Sequence, residues 1–241
     1  MEQRITRTNL KSNIGKKILV FIKFTLSAAG SQTISSVIGM GGIVIPSLSL
    51  ILSLIIGAIQ RDYNPVKQTI SQLVYYRYGW LQATDFLILG VWLILLALRF
   101  YSNFTQRLTT KIAVLLFAIF GIGFFLIAIF PTNFPGHAIS LQSAIHDKTA
   151  QLICALFPIA CCLMIPEFNV NRRLNKMANF TLMTVIIGFT LGILGATVSV
   201  TNMPLLGIIE RLIFLNAVIW SIVMGINLII LKTGKRAGEQ R

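Results

Sequence analysis

Six long apolar runs, separated by short polar segments, are the main pattern along this chain. Each run has roughly the 20 residues that a helix needs to cross a bilayer core about 30 Å thick. Because a backbone in lipid cannot leave its amides unpaired, and because the runs lack the alternation of strands, we predict helices. The six predicted spans cover about residues 38–60, 81–98, 112–130, 146–165, 178–200 and 208–231.

The composition agrees with a membrane protein. The 241 residues are 55% hydrophobic and only 12% charged, which is too little charge to cover the surface of a soluble domain of this size. The predicted fold class is therefore all-α, a polytopic integral membrane bundle of six transmembrane helices. Residues 38–231 form the membrane domain, and residues 1–37 and 232–241 are basic tails. No segment is long enough for a soluble catalytic domain, so any activity must lie in the bundle or its loops.

The basic residues are unequally divided between the polar segments. Sixteen of the 21 Lys and Arg residues lie in the two tails and in the second and fourth connections. By the positive-inside rule, this distribution predicts that both termini and those two connections are cytoplasmic. The net charge of +14 could suggest nucleic-acid binding. Since the charge falls on one membrane face, we predict membrane lipids as partners, with anionic lipid at the basic face, and no nucleic acid.

Small residues within the spans predict how the helices pack. We expect the glycines near the start of the first span, Gly39, Gly41 and Gly42, to loosen its opening turns together with Pro46. Small side chains on one face of a membrane helix let another helix approach closely. The fifth span has such a seam at Thr181, Thr184, Gly188, Gly192, Gly195 and Ser199.

Polar and ionisable side chains that are costly near a membrane are by default candidates for function. Most of them gather at the outer ends of the spans, and two asparagines share a face of the last span with Trp220. A structural interpretation is favoured for the acids: Asp85, Asp147 and Glu210 would complement the positive N-terminal ends of the second, fourth and sixth helices. For the asparagines, pairing with neighbouring helices is favoured over ligand binding. The candidate binding residues are Asn64, His137, Asp147, Glu210, Arg211, Asn216 and Asn227.

Two classes of function fit these residues. The first, which we favour, is a non-enzymatic membrane protein that binds or transports a lipid or small molecule, or acts as a scaffold, with its polar site on the extracytoplasmic face. The second is an integral-membrane hydrolase with Ser71 as nucleophile, Asp85 as orienting acid and His146 as base. A hydrolase requires these three side chains to converge within hydrogen-bond reach around an outward-facing pocket.

Metal chemistry is a variant of the second class. Zinc could be held by His137 and His146 with Asp147 or Asp85, leaving one position open. The spacing matches no HExxH, GxSxG or similar motif. We therefore predict no cofactor, and keep zinc as the alternative.

Several short motifs along the chain occur together in one protein family. The chain reads Asn64-Pro65, then Thr69-Ile70-Ser71-Gln72-Leu73, Phe130-Pro131, His146, and Glu210-Arg211 with Trp220. Over about residues 43–231, this set resembles a six-span prokaryotic family catalogued as domain of unknown function 998 (DUF998). The family usually has Glu at Gln72 and often an acid near Asn133, so an acid–base or metal site using those carboxylates is weakened here. The resemblance implies the six-span architecture and a prokaryotic cytoplasmic membrane location, and it brings no established activity.

Overall fold

The computed structural model describes residues 32–104, 107–133, 138–201 and 203–239, with side chains between residues 36 and 230. These ranges are mostly helical and contain no strand. The six apolar helices predicted from the sequence are confirmed, and each is long and apolar enough to cross a membrane. They are α1 (Gln32–Ile59), α2 (Gly79–Asn103), α3 (Leu108–Ile129), α4 (Leu141–Val170), α5 (Asn175–Thr201) and α6 (Leu206–Glu239).

Several helices extend beyond the predicted spans into polar sequence. Helix α4 begins five residues before His146, where Ser140 caps it by accepting a hydrogen bond from the Ser143 amide at 3.1 Å. Helix α6 continues into the predicted C-terminal tail, and α1 begins inside the predicted N-terminal tail. Residues 1–31 of that tail lie outside the described residues. Hydropathy therefore located the helices, while hydrogen bonds set their ends.

Each helix packs against its neighbour in the sequence, and α6 closes the bundle by packing against α1. The connections 60–78, 130–140 and 202–205 consequently lie at one end, which we call the long-loop end. The opposite end is the short-loop end, with connections 104–107 and 171–174. A short 3₁₀ helix, Ile70–Tyr75, lies within the first connection.

Aromatic side chains from four helices fill the centre of the bundle. Trp220 of α6 is 1% exposed. Its ring stacks on Phe117 of α3 with 5.6 Å between centroids, and it meets Phe157 of α4 edge-on at 5.6 Å. Phe100 of α2 lies 6.4 Å away on another side. Such contacts add to the burial of each ring and hold these helices at fixed rotations.

Glycines lie where the helices approach each other most closely. This corrects the prediction that the glycines of the first span loosen its opening turns. A Cβ atom on Gly39 would lie 2.8 Å from the Gly225 carbonyl oxygen, and one on Gly225 would lie 2.5 Å from the Gly39 carbonyl oxygen. Helix α1 is continuous from Gln32 to Ile59, so these glycines bring α1 and α6 together and do not loosen α1. Gly90 and Gly121 make the same mutual approach between α2 and α3.

The predicted small-residue seam of α5 is confirmed for only half of its length. Thr181, Thr184 and Gly188 are buried, and a Cβ on Gly188 would meet Pro158 of α4 at 3.2 Å. Toward the long-loop end, a Cβ on Gly192 would meet no described atom beyond its own helix turn within 4 Å, and Ser199 is exposed. A Cβ on Gly195 would make only an ordinary contact, with a side-chain atom of Ile209 at 3.4 Å. Close packing of α5 therefore belongs to the half nearer the short-loop end.

The predicted placement of acids at helix N-termini is wrong. The first turns of α2, α4 and α6 contain no acidic residue. Asp85, Asp147 and Glu210 all lie further into their helices, beyond the reach of a terminal dipole, which falls off within the first turn. Their positions need another explanation, and hydrogen bonds supply it.

Candidate functional site

The first long-loop connection folds tightly before it reaches α6. The Asn64 side-chain oxygen accepts hydrogen bonds from the amides of Val66 and Lys67, at 3.0 and 3.3 Å. The Gln68 side-chain oxygen accepts from the Asn64 amide at 2.6 Å. Asparagine favours such turns because its side chain can replace a backbone acceptor. The candidate Asn64 thus shapes the turn that precedes the 3₁₀ helix.

Arg211 attaches this turn to α6. Its Nη1 donates to the carbonyl oxygens of Pro65 and Gln68, at 2.8 and 3.0 Å, and its Nη2 donates to the Tyr63 hydroxyl. The Tyr63 hydroxyl lies 2.9 Å from the Thr69 carbonyl oxygen, to which it donates. The guanidinium also lies over the Tyr63 ring, 5.5 Å from its centroid. Five donors in a planar fork suit Arg to this set of acceptors.

The Tyr63 hydroxyl is a neutral donor in this arrangement. Burial raises the pKa of Tyr63 above its ordinary value, and the hydrogen bond and charge of Arg211 oppose that rise. Burial has the larger effect, because removing a phenolate from water is costly. Tyr63 therefore keeps its proton at neutral pH and can donate to the loop carbonyls.

Gly207 and Glu210 complete the attachment. A Cβ atom on Gly207 would lie 2.2 Å from the Gln68 carbonyl oxygen, so the loop can approach this closely only because no side chain is present. The Glu210 carboxylate accepts a hydrogen bond from the Ile70 amide and another from the Ser71 hydroxyl at 3.5 Å. The first amides of a helix lack partners within that helix. Glu210 therefore caps the 3₁₀ helix, not its own helix, and we call Tyr63, Gly207, Glu210 and Arg211 the loop anchor.

Gln72 shows how the chain tolerates its departure from the family pattern. Its side-chain oxygen accepts from the Thr69 amide at 3.1 Å, at the start of the 3₁₀ helix. A glutamate would offer the same acceptor at the same place. The capping contact therefore survives without the carboxylate.

An apolar cavity of about 90 Å³ lies beneath the 3₁₀ helix. Ile70, Ser71 and Glu210 line its end toward the loop. Its walls include Cys154, alanines and isoleucines from α3, α4 and α6, and five phenylalanines: Phe86, Phe120, Phe124, Phe157 and Phe214. The cavity therefore combines aromatic walls with a hydroxyl and a carboxylate at one end.

A second polar group at the long-loop end fixes the connection between α3 and α4. The His146 side chain is 2% exposed, and its Nδ1 lies 2.7 Å from the Phe130 carbonyl oxygen. The Thr132 hydroxyl donates to the exposed Asp147 carboxylate at 3.2 Å, and the Tyr75 hydroxyl donates to the Thr132 carbonyl. The Phe130-Pro131 segment is thus held from α4 and from the first connection.

Asp85 belongs to a third group, between α1 and α2. It is buried, and it accepts hydrogen bonds from the Ser49 hydroxyl and from the Gln82 amide nitrogen, the latter at 3.3 Å. Ser49 and Gln82 are each 1% exposed. A buried carboxylate needs such donors, because an unpaired one would carry a large desolvation cost. The acid predicted to orient a histidine instead joins two helices.

The structure does not link the three candidate catalytic residues by hydrogen bonds. Within the described residues, Ser71 bonds to Glu210, Asp85 to Ser49 and Gln82, and His146 to Phe130. These are three separate groups of partners. For zinc, no three His, Cys, Asp or Glu side chains of the described chain lie close enough to hold a metal ion. His137 lies outside the described residues.

Asn216 and Asn227 pair with α5 and with their own helix. The Asn216 amide donates to the Thr184 carbonyl oxygen at 3.0 Å. The Asn227 amide donates to the Val223 carbonyl oxygen at 2.8 Å and lies 3.9 Å from the Met177 sulfur. Neither residue lines the cavity. These contacts agree with the favoured interpretation of helix pairing.

Two parts of the site could not be selected from the sequence. Tyr63 is one of five tyrosines in the sequence, four of which lie in the first connection, and Gly207 is one glycine among 18. The position of Gly207 at the start of a helix, three residues before Glu210, was the available signal for a close approach. No sequence pattern indicates which residues line the cavity, because its phenylalanines come from four helices and meet only when those helices pack together.

Comparison with known proteins supports the sequence resemblance. No curated protein and no solved structure matches the chain. A family model described as a protein of unknown function (DUF998) matches residues 43–227. This match covers well over half of the chain and includes the loop anchor, the cavity walls and all three candidate catalytic residues. The chain therefore belongs to the DUF998 family of multi-pass membrane proteins.

Proposed function

We propose that this protein binds a small apolar molecule, or part of a lipid, inside the bundle and does not transform it. The observation that carries this proposal is the apolar cavity of about 90 Å³ beneath the 3₁₀ helix. Well-packed interiors have few voids larger than a water molecule. An apolar cavity of 150 Å³ is large enough for benzene, so this cavity would take roughly the volume of a short alkyl group.

The surroundings of the cavity favour binding over hydrolysis. The hydrolase hypothesis needs a histidine base within hydrogen-bond reach of the nucleophile, whereas Ser71, the only candidate catalytic residue that lines the cavity, bonds to the Glu210 carboxylate. His146 and Asp85 are committed to other partners. A ligand in the cavity would therefore meet apolar side chains, one hydroxyl and one carboxylate, without the His–Asp pair that the hydrolase hypothesis requires.

A ligand larger than the cavity would extend beyond it. The cavity-lining residues Ile213, Phe214 and Ala217 of α6 are half-buried, whereas Phe86, Phe120 and Phe124 on α2 and α3 are buried. We place the access route on the α6 side, where an acyl chain in the bilayer could insert its end. With this route, the small cavity could bind one end of an amphiphile while the rest of the molecule stays in the bilayer.

Filling the cavity tests this proposal. Ala217→Leu would place a larger side chain in the cavity, whereas Ala196→Leu would place it on an exposed position of α5. Native mass spectrometry of the purified proteins should find a retained lipid or small molecule on the unmodified chain and on Ala196→Leu, and should lose it on Ala217→Leu. Equal retention by both variants would refute binding in the cavity.

We also propose the membrane orientation that the basic residues predict. Arg107, Lys111, Arg172, Arg173 and Lys176 lie at or beside the short-loop end, and we assign that end to the cytoplasm, with anionic lipid against it. The cavity then lies toward the extracytoplasmic face. Reporter fusions after Lys67 and after Arg173 should report opposite sides of the membrane, with the Arg173 fusion cytoplasmic. The reverse assignment would overturn the orientation.

A further inference from the structure

The Glu210 carboxylate lines an apolar cavity and forms no salt bridge with a lysine or arginine of the described residues. The charge of the neighbouring Arg211 acts on it from a greater distance. The neighbouring Arg211 directs its guanidinium to the Pro65 and Gln68 carbonyls and to Tyr63. The carboxylate accepts hydrogen bonds from Ile70 and Ser71, but two oxygens offer about four acceptor sites. Acceptor capacity is therefore left on a carboxylate that lines the cavity.

The same cavity is lined by aromatic rings. Phe120 and Phe124 of α3 lie edge to face with 5.2 Å between centroids, and Phe157 lies 5.6 Å from Phe120. Phe86 approaches Phe124 at 6.0 Å, and Phe214 lines the cavity from α6. The faces of aromatic rings attract cations, and more strongly where water is excluded. Aromatic faces together with one carboxylate are a typical recognition site for an organic ammonium group.

From these observations, and on the basis of the proposed binding function, we infer that the cavity selects ligands bearing an alkylammonium group. The ammonium would donate to Glu210 and lie against the phenylalanine rings, and its alkyl part would fill the remaining volume. A neutral ligand of the same size would gain only the apolar contacts. The ligand would therefore supply the hydrogen-bonding cation that the described lysines and arginines do not place against Glu210.

Two probes of nearly equal size separate charge from shape. Butylammonium and 1-butanol each have five non-hydrogen atoms, and at neutral pH only the first carries a charge. A ligand that binds only the folded protein raises its unfolding temperature, and the rise grows with the logarithm of the ligand concentration divided by Kd. Thermal unfolding of the purified full-length protein is therefore measured against the concentration of each probe.

Two variants separate the contribution of the Glu210 charge to binding from the contribution of the cavity volume. Glu210→Gln keeps an acceptor oxygen for the Ile70 amide and removes the charge, and Ala217→Leu fills the cavity. In the unmodified protein, butylammonium should bind about tenfold or more tightly than 1-butanol, the effect of one charged hydrogen bond. Glu210→Gln should remove that difference between the probes, and Ala217→Leu should weaken both probes.

The possible outcomes distinguish this inference from the proposed function. Equal affinity of both probes for the unmodified protein, with loss of both in Ala217→Leu, would overturn the ammonium preference and leave the binding cavity in place. Probe effects that are identical in the unmodified protein and in Ala217→Leu would overturn both. If Glu210→Gln fails to fold, the comparison of the two probes in the unmodified protein and in Ala217→Leu still decides the question.

Discussion

The contact between Gly207 and the first connection gives the sharpest test of the loop anchor. In Gly207→Ala, the new Cβ atom would lie 2.2 Å from the Gln68 carbonyl oxygen and 2.6 Å from that of Pro65. Both neighbours are backbone atoms, so a side-chain rotation cannot relieve the clash. The loop must instead move away from α6 by about 1 Å to restore ordinary contact distances.

That movement acts on the hydrogen bonds of Arg211. Bonds of 2.8 and 3.0 Å to the Pro65 and Gln68 carbonyls would lengthen to nearly 4 Å, where little hydrogen-bond energy remains. Hydrogen bonds to charged groups contribute about 1.5–3 kcal/mol each. Water can replace part of this at the membrane edge, and alanine gains about 1 kcal/mol of helix propensity over glycine. We expect the free energy of unfolding to fall by about 2 kcal/mol.

Gly192→Ala provides the matched control, because no described atom lies within 4 Å of its Cβ position. Thermal unfolding in detergent should show Gly207→Ala melting about 4–8 °C lower than the unmodified protein, and Gly192→Ala melting at the same temperature or higher. Trypsin should also cleave native Gly207→Ala faster after Lys67, which lies in the anchored loop. If both variants melt alike and resist trypsin equally, the close contact between loop and helix is refuted.

Three further changes test other parts of the fold. Tyr63→Phe removes the hydroxyl that contacts Arg211 and the Thr69 carbonyl, and should cost about 1 kcal/mol at neutral pH. Burial raises the pKa of Tyr63 in the folded state, so the contribution of Tyr63 to stability is present below pH about 10 and is lost as the pH rises further. In thermal unfolding, Tyr63→Phe should therefore lose less stability above pH 10 than the unmodified protein does. Gly225→Ala would place a Cβ 2.5 Å from the Gly39 carbonyl oxygen and should lower the free energy of unfolding by about 1–3 kcal/mol, whereas Gly195→Ala, whose nearest neighbour is a side-chain atom at 3.4 Å, should change it little. Ser140→Ala removes the cap of α4 and should cost about 1 kcal/mol in the same assay; an unchanged unfolding temperature would contradict the capped start at Leu141.

The sequence predicted the helices because their cause is local. A run of apolar residues longer than the bilayer core has one stable conformation in lipid, so six runs give six helices. The helix ends depend on contacts that hydropathy does not measure. Helix α4 starts in polar sequence because Ser140 and Ser143 satisfy each other's amides, and α6 continues beyond the apolar run. The predicted spans were therefore correct in number and short at several ends.

The roles of the polar residues were harder to predict, because their partners are distant in the sequence. Glu210 was assigned to its own helix, and its partners Ile70 and Ser71 lie about 140 residues earlier. Asp85 was grouped with Ser71 and His146 by chemistry, and its partner is Ser49 on α1. Sequence spacing shows which residues share a helix face, but it does not show which helix that face meets. Only the packing of α1 against α2, and of the first connection against α6, could reveal these pairs.

Glu210 differs from the buried candidates Asp85 and His146 in having two roles. Asp85 and His146 each hold elements of the fold together, and neither lines the cavity. Glu210 caps the 3₁₀ helix and also faces the cavity, so a substitution there would affect the loop and the ligand together. Ala217 lines the same cavity two turns further along α6 and makes no hydrogen bond to the loop through its side chain. Weaker binding of butylammonium in both Ala217→Leu and Glu210→Gln, with a change in trypsin cleavage after Lys67 only in Glu210→Gln, would therefore separate the binding role of the cavity from the structural role of the anchor.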